Sequence, residues 1–342
     1  MRLVKTLFAV TVLAAIGWSG WWVIGSEAKE RAFADWLAER RAEGWQAEAA
    51  SIETRGFPSR FDTRLSDLAL ADPEQGWAWR TPFLDVMMLS YQPNAAVAAL
   101  PSGQTIAAPG ARTRLDGERM RGSLRFVPGP SLELARLSVE AETVALTADA
   151  GWVAAARKLA AHLRAADPAT TPEHGYDLYI EADGVRLPAP LKAALDPAGA
   201  LPDVFDRFVL DGRAALTAPL DRHAVEADFP GARAISLKSA EARWGELALR
   251  VKGRIAADAE GYAEGELSVR AENWREMLRA AVRAGALGRE LAQALEFGLG
   301  LLAGFGGGDD LEAPVVFEDG YARIGPVPVG RAPRIAAPRV GG

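Results

Sequence analysis

Thr6–Gly25 (TLFAVTVLAAIGWSGWWVIG) holds no charged side chain. A single segment that enters lipid must satisfy its own backbone, and an α-helix is the way to do it. At about 1.5 Å per residue, about 20 residues match a hydrocarbon core of roughly 30 Å. Arg2 and Lys5 precede the run, so its start belongs in the cytoplasm and the rest of the chain on the far side. Leu7, Val12 and Ile16 form its apolar body. Trp18, Trp21 and Trp22 stand near its far end, where an aromatic belt belongs. A cleaved signal peptide is the alternative, with a shorter apolar region of roughly 7–15 residues and an A-x-A-like site. Ser26-Glu27-Ala28 is a poor version of that site, so an uncleaved anchor is favoured. The chain has no Cys, which removes a lipoprotein anchor, disulfides, thiolate metal sites and Cys nucleophiles. Leu295–Phe305 is apolar but short and broken by glycines.

Past the anchor, Glu27–Glu43 places Ala32, Phe33, Trp36 and Leu37 on one face at helical spacing. Gly44 can end this stalk helix. From Trp45 onward the period is two. Leu247, Leu249, Val251 and Ile255 alternate with Glu246, Arg250, Lys252 and Arg254. Leu267, Val269 and Ala271 alternate with Glu266, Ser268, Arg270 and Glu272. Leu137, Val139 and Ala141 follow the same rule, as do Leu178 and Ile180. Phe208, Leu210, Ala214 and Leu216 share a face, with Gly212 as a candidate bulge. Such alternation predicts half-buried antiparallel strands. Turn-rich joints at Pro73–Gly76, Pro128–Pro130 and Asp258–Gly261 fit it. Further strands are expected at Gln46–Arg55, Arg60–Ala71, Phe83–Gln92, Gln104–Ala108, Met120–Val127, Ile235–Arg243, Val315–Glu318 and Ala322–Val329.

Three helices are expected between the strands. Asp149 would cap one carrying Trp152, Ala156, Leu159, Ala160 and Leu163 and ending at Asp167-Pro168. Asn273 and Glu276 have capping-box spacing ahead of Trp274, Met277, Leu278 and Ala281. Leu287–Leu302 is the third. Leu137–Glu142 and Leu267–Glu272 each lead toward a Trp-led helix, a weak internal echo. The expected fold class is therefore mainly β (α+β). It is a large curled antiparallel sheet, or an open barrel, wrapped on a few helices, with one N-terminal transmembrane helix. The domain reading is residues 1–26 as cytoplasmic tip and anchor, 27–44 as stalk, and 45–342 as an exported β-rich domain. That domain divides into candidate halves at about 45–170 and 171–342. Whether the sheet encloses a cavity or a packed core stays open at this level.

Chemical motifs are sparse. The 342 residues carry 39 basic and 45 acidic side chains, a net charge of −6, and no long basic stripe, which disfavours nucleic acid. His162, His174 and His223 form no HExxH-type pair, and there is no G-x-S-x-G elbow. Gly304–Asp310 (GFGGGDD) lacks the Lys-Ser/Thr of a P-loop and reads as a turn after a helix. Asp309 and Asp310 read as a solvated pair. Glu140 and Glu142 share a strand face by alternation alone. Of ten Trp, three belong to the anchor. Trp77 and Trp79 share a face, and core packing accounts for them and for Trp244.

Two resemblances add to this. Arg55-Gly56-Phe57-Pro58-x-Arg60-Phe61-Asp62, then Trp77-x-Trp79-x-x-Pro82-Phe83, resembles an uncharacterised bacterial envelope family, domain-of-unknown-function family 2125. Gly320-Tyr321-x-x-Ile324-Gly325-Pro326-x-Pro328-x-Gly330-x-x-Pro333 is similar to that family's end. It implies no activity, so no catalytic residue is carried over. Ala242–Ile255 and Gly265-x-Leu267-x-Val269 resemble the strand hairpins of AsmA-like envelope proteins. That likeness implies a single anchor and an apolar β-groove that moves lipids.

The expected function is a non-catalytic, single-pass inner-membrane protein whose periplasmic domain binds a lipid or other apolar envelope molecule. Groove-lining candidates are Leu247, Leu249, Val251, Ile255, Leu267 and Val269. Membrane lipid and other envelope proteins are the expected partners; nucleic acid, metal and cofactor are not. The alternatives are a scaffold or interaction module in envelope assembly and, third, an envelope hydrolase.

Overall fold

The computed structural model describes residues 2–167, 169, 174–226, 230–303 and 309–337. Among these are 17 strands and five helices, and every described strand pairing of known register is antiparallel. The chain forms two compact units, Met1–Arg125 with Ala145–Gly151, and Phe126–Val144 with Trp152–Gly342.

In the first unit, anchor and stalk form one continuous helix, α1 (Arg2–Ala42). Gly44 ends it with φ of 91°. The Gly44 N–H donates to the Arg41 carbonyl and that of Trp45 to the Arg40 carbonyl, at 3.1 and 3.0 Å. This is a Schellman closure, which needs a residue that tolerates positive φ. The strands that follow are β1 (Gln46–Glu48), β2 (Ser51–Arg55), β3 (Arg60–Asp72), β4 (Trp77–Leu89), β5 (Gln92–Ala99), β6 (Gln104–Ala108) and β7 (Ala111–Phe126). β1 and β2 both pair with β3, which pairs along its length with β4. β5 and β6 share β4 as one neighbour and β7 as the other. Leu65, Leu68 and Leu70 of β3 form a core with Leu37 of α1, and Trp77 and Trp79 pack against it. The indole N–H of Trp79 donates to Gln104 Oε1 at 2.9 Å, so the packed ring keeps its polar atom satisfied. β8 (Leu134–Ala148) has Leu134–Val144 in the second unit and its last residues in the first.

The second unit contains β9 (Val153–Ala165), β10 (Gly175–Arg186), α2 (Ala189–Leu195), β11 (Val204–Leu216), α3 (His223–Glu226), β12 (Ala232–Trp244), β13 (Leu247–Ala257) and β14 (Ala263–Glu272). α4 (Trp274–Arg283), α5 (Arg289–Ala303), β15 (Asp310–Glu318), β16 (Tyr321–Ile324) and β17 (Val327–Arg331) complete it. From β9 to β17 each strand pairs with the next in sequence. The described pairings close neither unit into a barrel. An up-and-down order needs only local connections, which the short turns supply.

The meander is bent on purpose. Lys238 is bulged out of the β11 ladder and Lys238 with Ser239 out of the β13 ladder, where Gly212 of β11 and Gly253 of β13 flank Leu237 of β12. Gly253 has φ of 137°, and a Cβ there would collide with the Glu266 carbonyl and the Leu267 Cα. A bulge flanked by glycines lets neighbouring strands come close and coil the sheet.

Two expectations are corrected. Val153–Ala165 is a strand, not a helix, and it pairs with β10 from Ala155↔Arg186 to Tyr176↔Ala165. Its sequence, VAAARKLAAHLRA, has alanines on both candidate faces. Helical and alternating periods therefore both fit, and the ladder offered by β10 decides. The echo between Leu137–Glu142 and Leu267–Glu272 consequently stops at the strands. Asn273 and Glu276 form no capping box. Asn273 is left-handed and its side chain accepts no cap hydrogen bond; its amide N–H donates to the Glu246 carbonyl at 2.6 Å. Glu276 instead accepts from Arg283 and Arg279, at 2.6 and 2.9 Å. The helices expected at Trp274 and at Leu287–Leu302 are present as α4 and α5.

Candidate functional site

Register assembles the candidate site. Directly opposed residues share a sheet face. Ile180 of β10 opposes Leu210 of β11, which opposes Ala240 of β12, then Val251, Val269 and Ala313. The next row runs Leu178, Gly212, Leu237, Gly253, Leu267 and Val315. Toward the helices lies Phe208, Ala242, Leu249, Ala271 and Leu311. With Ala161 of β9 opposite Ile180, one apolar face crosses seven strands, β9–β15, whose six spacings of about 4.8 Å make a row of roughly 29 Å.

The two ends of this face are covered. Trp274 of α4 and Leu295 and Leu299 of α5 pack on Leu249, Ala271, Leu311 and Ala313. At the other end Tyr176, Leu216 and Leu220 pack with Leu163, Ala214 and Ala232. The Tyr176 hydroxyl accepts the Leu220 N–H at 3.0 Å, and burial raises its pKa. Between the two clusters, Ile180, Leu210, Leu237, Val251, Leu267 and Val269 are only half-buried.

All six lining candidates fall on this unit. Leu249, Val251, Ile255, Leu267 and Val269 share the apolar face, and Ile255 is the buried one, 8% exposed. Leu247 sits at the turn end of β13, opposite Trp244. Alternation within β13 and β14 was enough to find them. Their counterparts Ile180, Leu210 and Leu237 were readable as strand residues but not as members of the same surface, and Leu159 was expected on a helix. Register is what joins them.

The opposite face carries ions. Asp177 accepts from Arg213 at 2.6 Å and from Arg164 at 2.8 Å. The Arg213 hydrogen bond leads in holding Asp177 below its ordinary pKa; partial desolvation opposes it and Arg164 adds to it. Lys158 and Arg207 clasp Glu181 in the same way, at 2.6 and 3.1 Å. A cleft of about 490 Å³ opens here, lined by Arg136, His162, Arg164, Asp177, Tyr179, Asp211, Arg213 and Lys238 among others. Its carboxylates are already engaged, Asp211 by Lys238 at 2.7 Å. His162 lies beside Tyr179, 6.0 Å between ring centroids, and 4.0 Å from Glu140. His174 and His223 stand at the ends of other elements, His223 at the start of α3. Among the described residues no three His, Asp or Glu converge as a metal site. Residues 304–308 of the Gly-rich run lie outside the described residues; Asp309 pairs with Arg275 at 3.2 Å and Asp310 with Arg270 at 3.6 Å.

In the first unit α1 is long and apolar enough to cross a membrane. Leu7, Val12, Ile16, Trp18 and Trp21 are exposed on it, and Trp22 is half-buried. Beyond its apolar run α1 is clamped to its own sheet, as a stalk docking on the domain would be. Glu30 Oε1 accepts the Thr54 N–H at 2.6 Å, and Lys29 Nζ lies 2.7 Å from Met88 Sδ. Burial lowers the Lys29 pKa.

Fold and site together define a β-rich protein with one candidate membrane-spanning helix and an amphipathic sheet. The family model described as "Uncharacterized protein conserved in bacteria (DUF2125)" matches residues 21–333, and the chain belongs to this family. No curated protein and no solved structure matches it.

Proposed function

We propose that this is a single-pass inner-membrane protein whose periplasmic part holds a lipid or other apolar envelope molecule against the sheet face of β9–β15. The observation that carries this reading is the half-buried middle of that face, Ile180 through Val269, lying between two covered ends. An acyl chain laid there removes apolar surface from water at about 0.8 kcal/mol per CH₂, with no catalytic group required. A row of roughly 29 Å is long enough for an extended chain from one leaflet, half of a core of roughly 30 Å. Arg2 and Lys5 before the uncharged run support the orientation. The hairpin resemblance to AsmA-like proteins points the same way. Other envelope proteins would meet the chain as donors or acceptors of the same molecule.

The test is lipid retention by the full chain. Purified in detergent and exchanged extensively, it should keep tightly held lipid near one molecule per chain in native mass spectrometry. A chain that exchanges to bare protein, with its β-sheet content intact, contradicts the proposal.

A further inference from the structure

The middle of α1, where its apolar run ends, is joined to one end of the first unit's sheet. Trp18 donates its indole N–H to the Pro58 carbonyl, and Trp22 donates to the Arg60 carbonyl, both at 2.7 Å. The Trp22 ring stacks on Phe61 at 5.8 Å and meets Phe57 edge-on at 5.6 Å. The Ser90 N–H donates to the Ser59 carbonyl at 2.9 Å, so the β4–β5 turn lies beside the β2–β3 turn. Phe57 and Tyr91 at these two tips are 56% and 61% exposed, and Trp21 on the helix is 54% exposed.

Helix geometry then constrains depth. Counting from Thr6 at about 1.5 Å per residue, Trp18 lies roughly 18 Å and Trp22 roughly 24 Å along the axis. A hydrocarbon core of roughly 30 Å extends past both. Starting the span at Leu3, with Lys5 snorkelling, still leaves Trp18 inside the far leaflet and Trp22 near its boundary. A loop hydrogen-bonded to Trp18 cannot remain in bulk water while α1 spans.

We propose that the β2–β3 tip at Phe57–Ser59 and the β4–β5 tip at Tyr91 are inserted into the leaflet far from Arg2, reaching below its headgroup level. The partner of this surface is the lipid bilayer itself. The proposal rests on reading α1 as a membrane span. The backbone chemistry fits immersion. Pro58 and Arg60 carbonyls are satisfied by indoles, the Ser59 carbonyl by Ser90, and the Arg60 N–H by the Gly56 carbonyl at 2.9 Å. Those are among the groups that lipid would otherwise leave unpaired. The exposed side chains are aromatic, which suits a membrane boundary. Arg60, paired with Asp62 at 2.7 Å, is placed to reach the phosphate layer. The Gly56-Phe57-Pro58 motif thereby acquires a role as a membrane wedge, and the first unit rides on the bilayer.

The chain has no Cys, so single nitroxide labels can be placed without background. Four full-length variants, Leu13→Cys, Ser59→Cys, Tyr91→Cys and Glu74→Cys, are reconstituted in phosphatidylethanolamine–phosphatidylglycerol bilayers. Accessibility to oxygen and to a water-soluble nickel chelate is measured for each. Glu74 lies in the turn at the other end of β3 and serves as the aqueous reference. The expected oxygen-to-nickel ratio is highest at Leu13, intermediate at Ser59 and Tyr91, and severalfold lower at Glu74. Ser59 and Tyr91 matching Glu74 while Leu13 is embedded overturns the wedge and leaves the span intact. Leu13 matching Glu74 overturns the span and the wedge with it.

Discussion

Val251 of β13 stands directly across the ladder from Val269 of β14, and neither is fully buried. The pair sits mid-row on the apolar face, outside the α4–α5 cluster, which extends to the neighbouring Ala313, and outside the Tyr176 cluster. Cross-strand β-branched pairs stabilise a sheet modestly, by roughly 0.2–1 kcal/mol. In the proposed function their second task is to face the ligand.

That double role separates two substitutions one residue apart. Val251→Asp puts a charge on the apolar face and should abolish lipid retention. Lys252→Asp changes the charge on the opposite face and should leave retention unchanged. Lipid extracted per mole of purified chain distinguishes them.

The contact between α1 and its sheet is testable through Leu37, which is 4% exposed against Leu65 and Leu68. Leu37→Ala should cost about 2–5 kcal/mol through lost burial and the cavity left behind. Glu39→Ala, on the solvent side, should stay within about 0.5 kcal/mol. Denaturant titration followed by tryptophan fluorescence measures both.

Gly253 is a backbone requirement. Its positive φ and the proximity of the Glu266 carbonyl leave no room for a side chain. Gly253→Ala should lower the melting temperature clearly. At Gly288, where a Cβ would meet nothing within 4 Å, Gly→Ala should be near neutral.

The ion-pair face predicts a pH dependence. The Asp177 carboxyl is held below its ordinary pKa in the folded chain by Arg213 and Arg164. Its stabilisation is therefore complete above the unfolded value, about 3.9, and is lost as pH falls through and below that point. Asp177→Asn should be less stable than the parent at pH 7, with the gap shrinking toward pH 3. Paired melting curves across that range check it.

Much of this architecture was readable in the chain. Strict alternation in Leu247–Ile255 and Leu267–Ala271 located β13, β14 and the face they share. The uncharged Thr6–Gly25 run located the candidate span. Val153–Ala165 misled because alanine fits a helix and a strand equally, and only β10 beside it decides. The extension of the apolar face to Ile180 and Leu210 was hidden because register is a tertiary property. In β12 the bulge at Lys238 also shifts the alternation by one residue, so Leu237 and Ala240 share a face although their numbers differ in parity. Trp18 and Trp22 looked like belt residues alone; their hydrogen bonds to Pro58 and Arg60 have no sequence signal.

The most direct measurement places a photoreactive amino acid at Val269 or at its neighbour Arg270 in the full chain and irradiates intact membranes. Residue 269 should yield adducts of lipid mass, and residue 270, on the ion-pair face, should not. Lipid adducts of equal yield at both positions, or none at residue 269, would contradict a lipid held on this face.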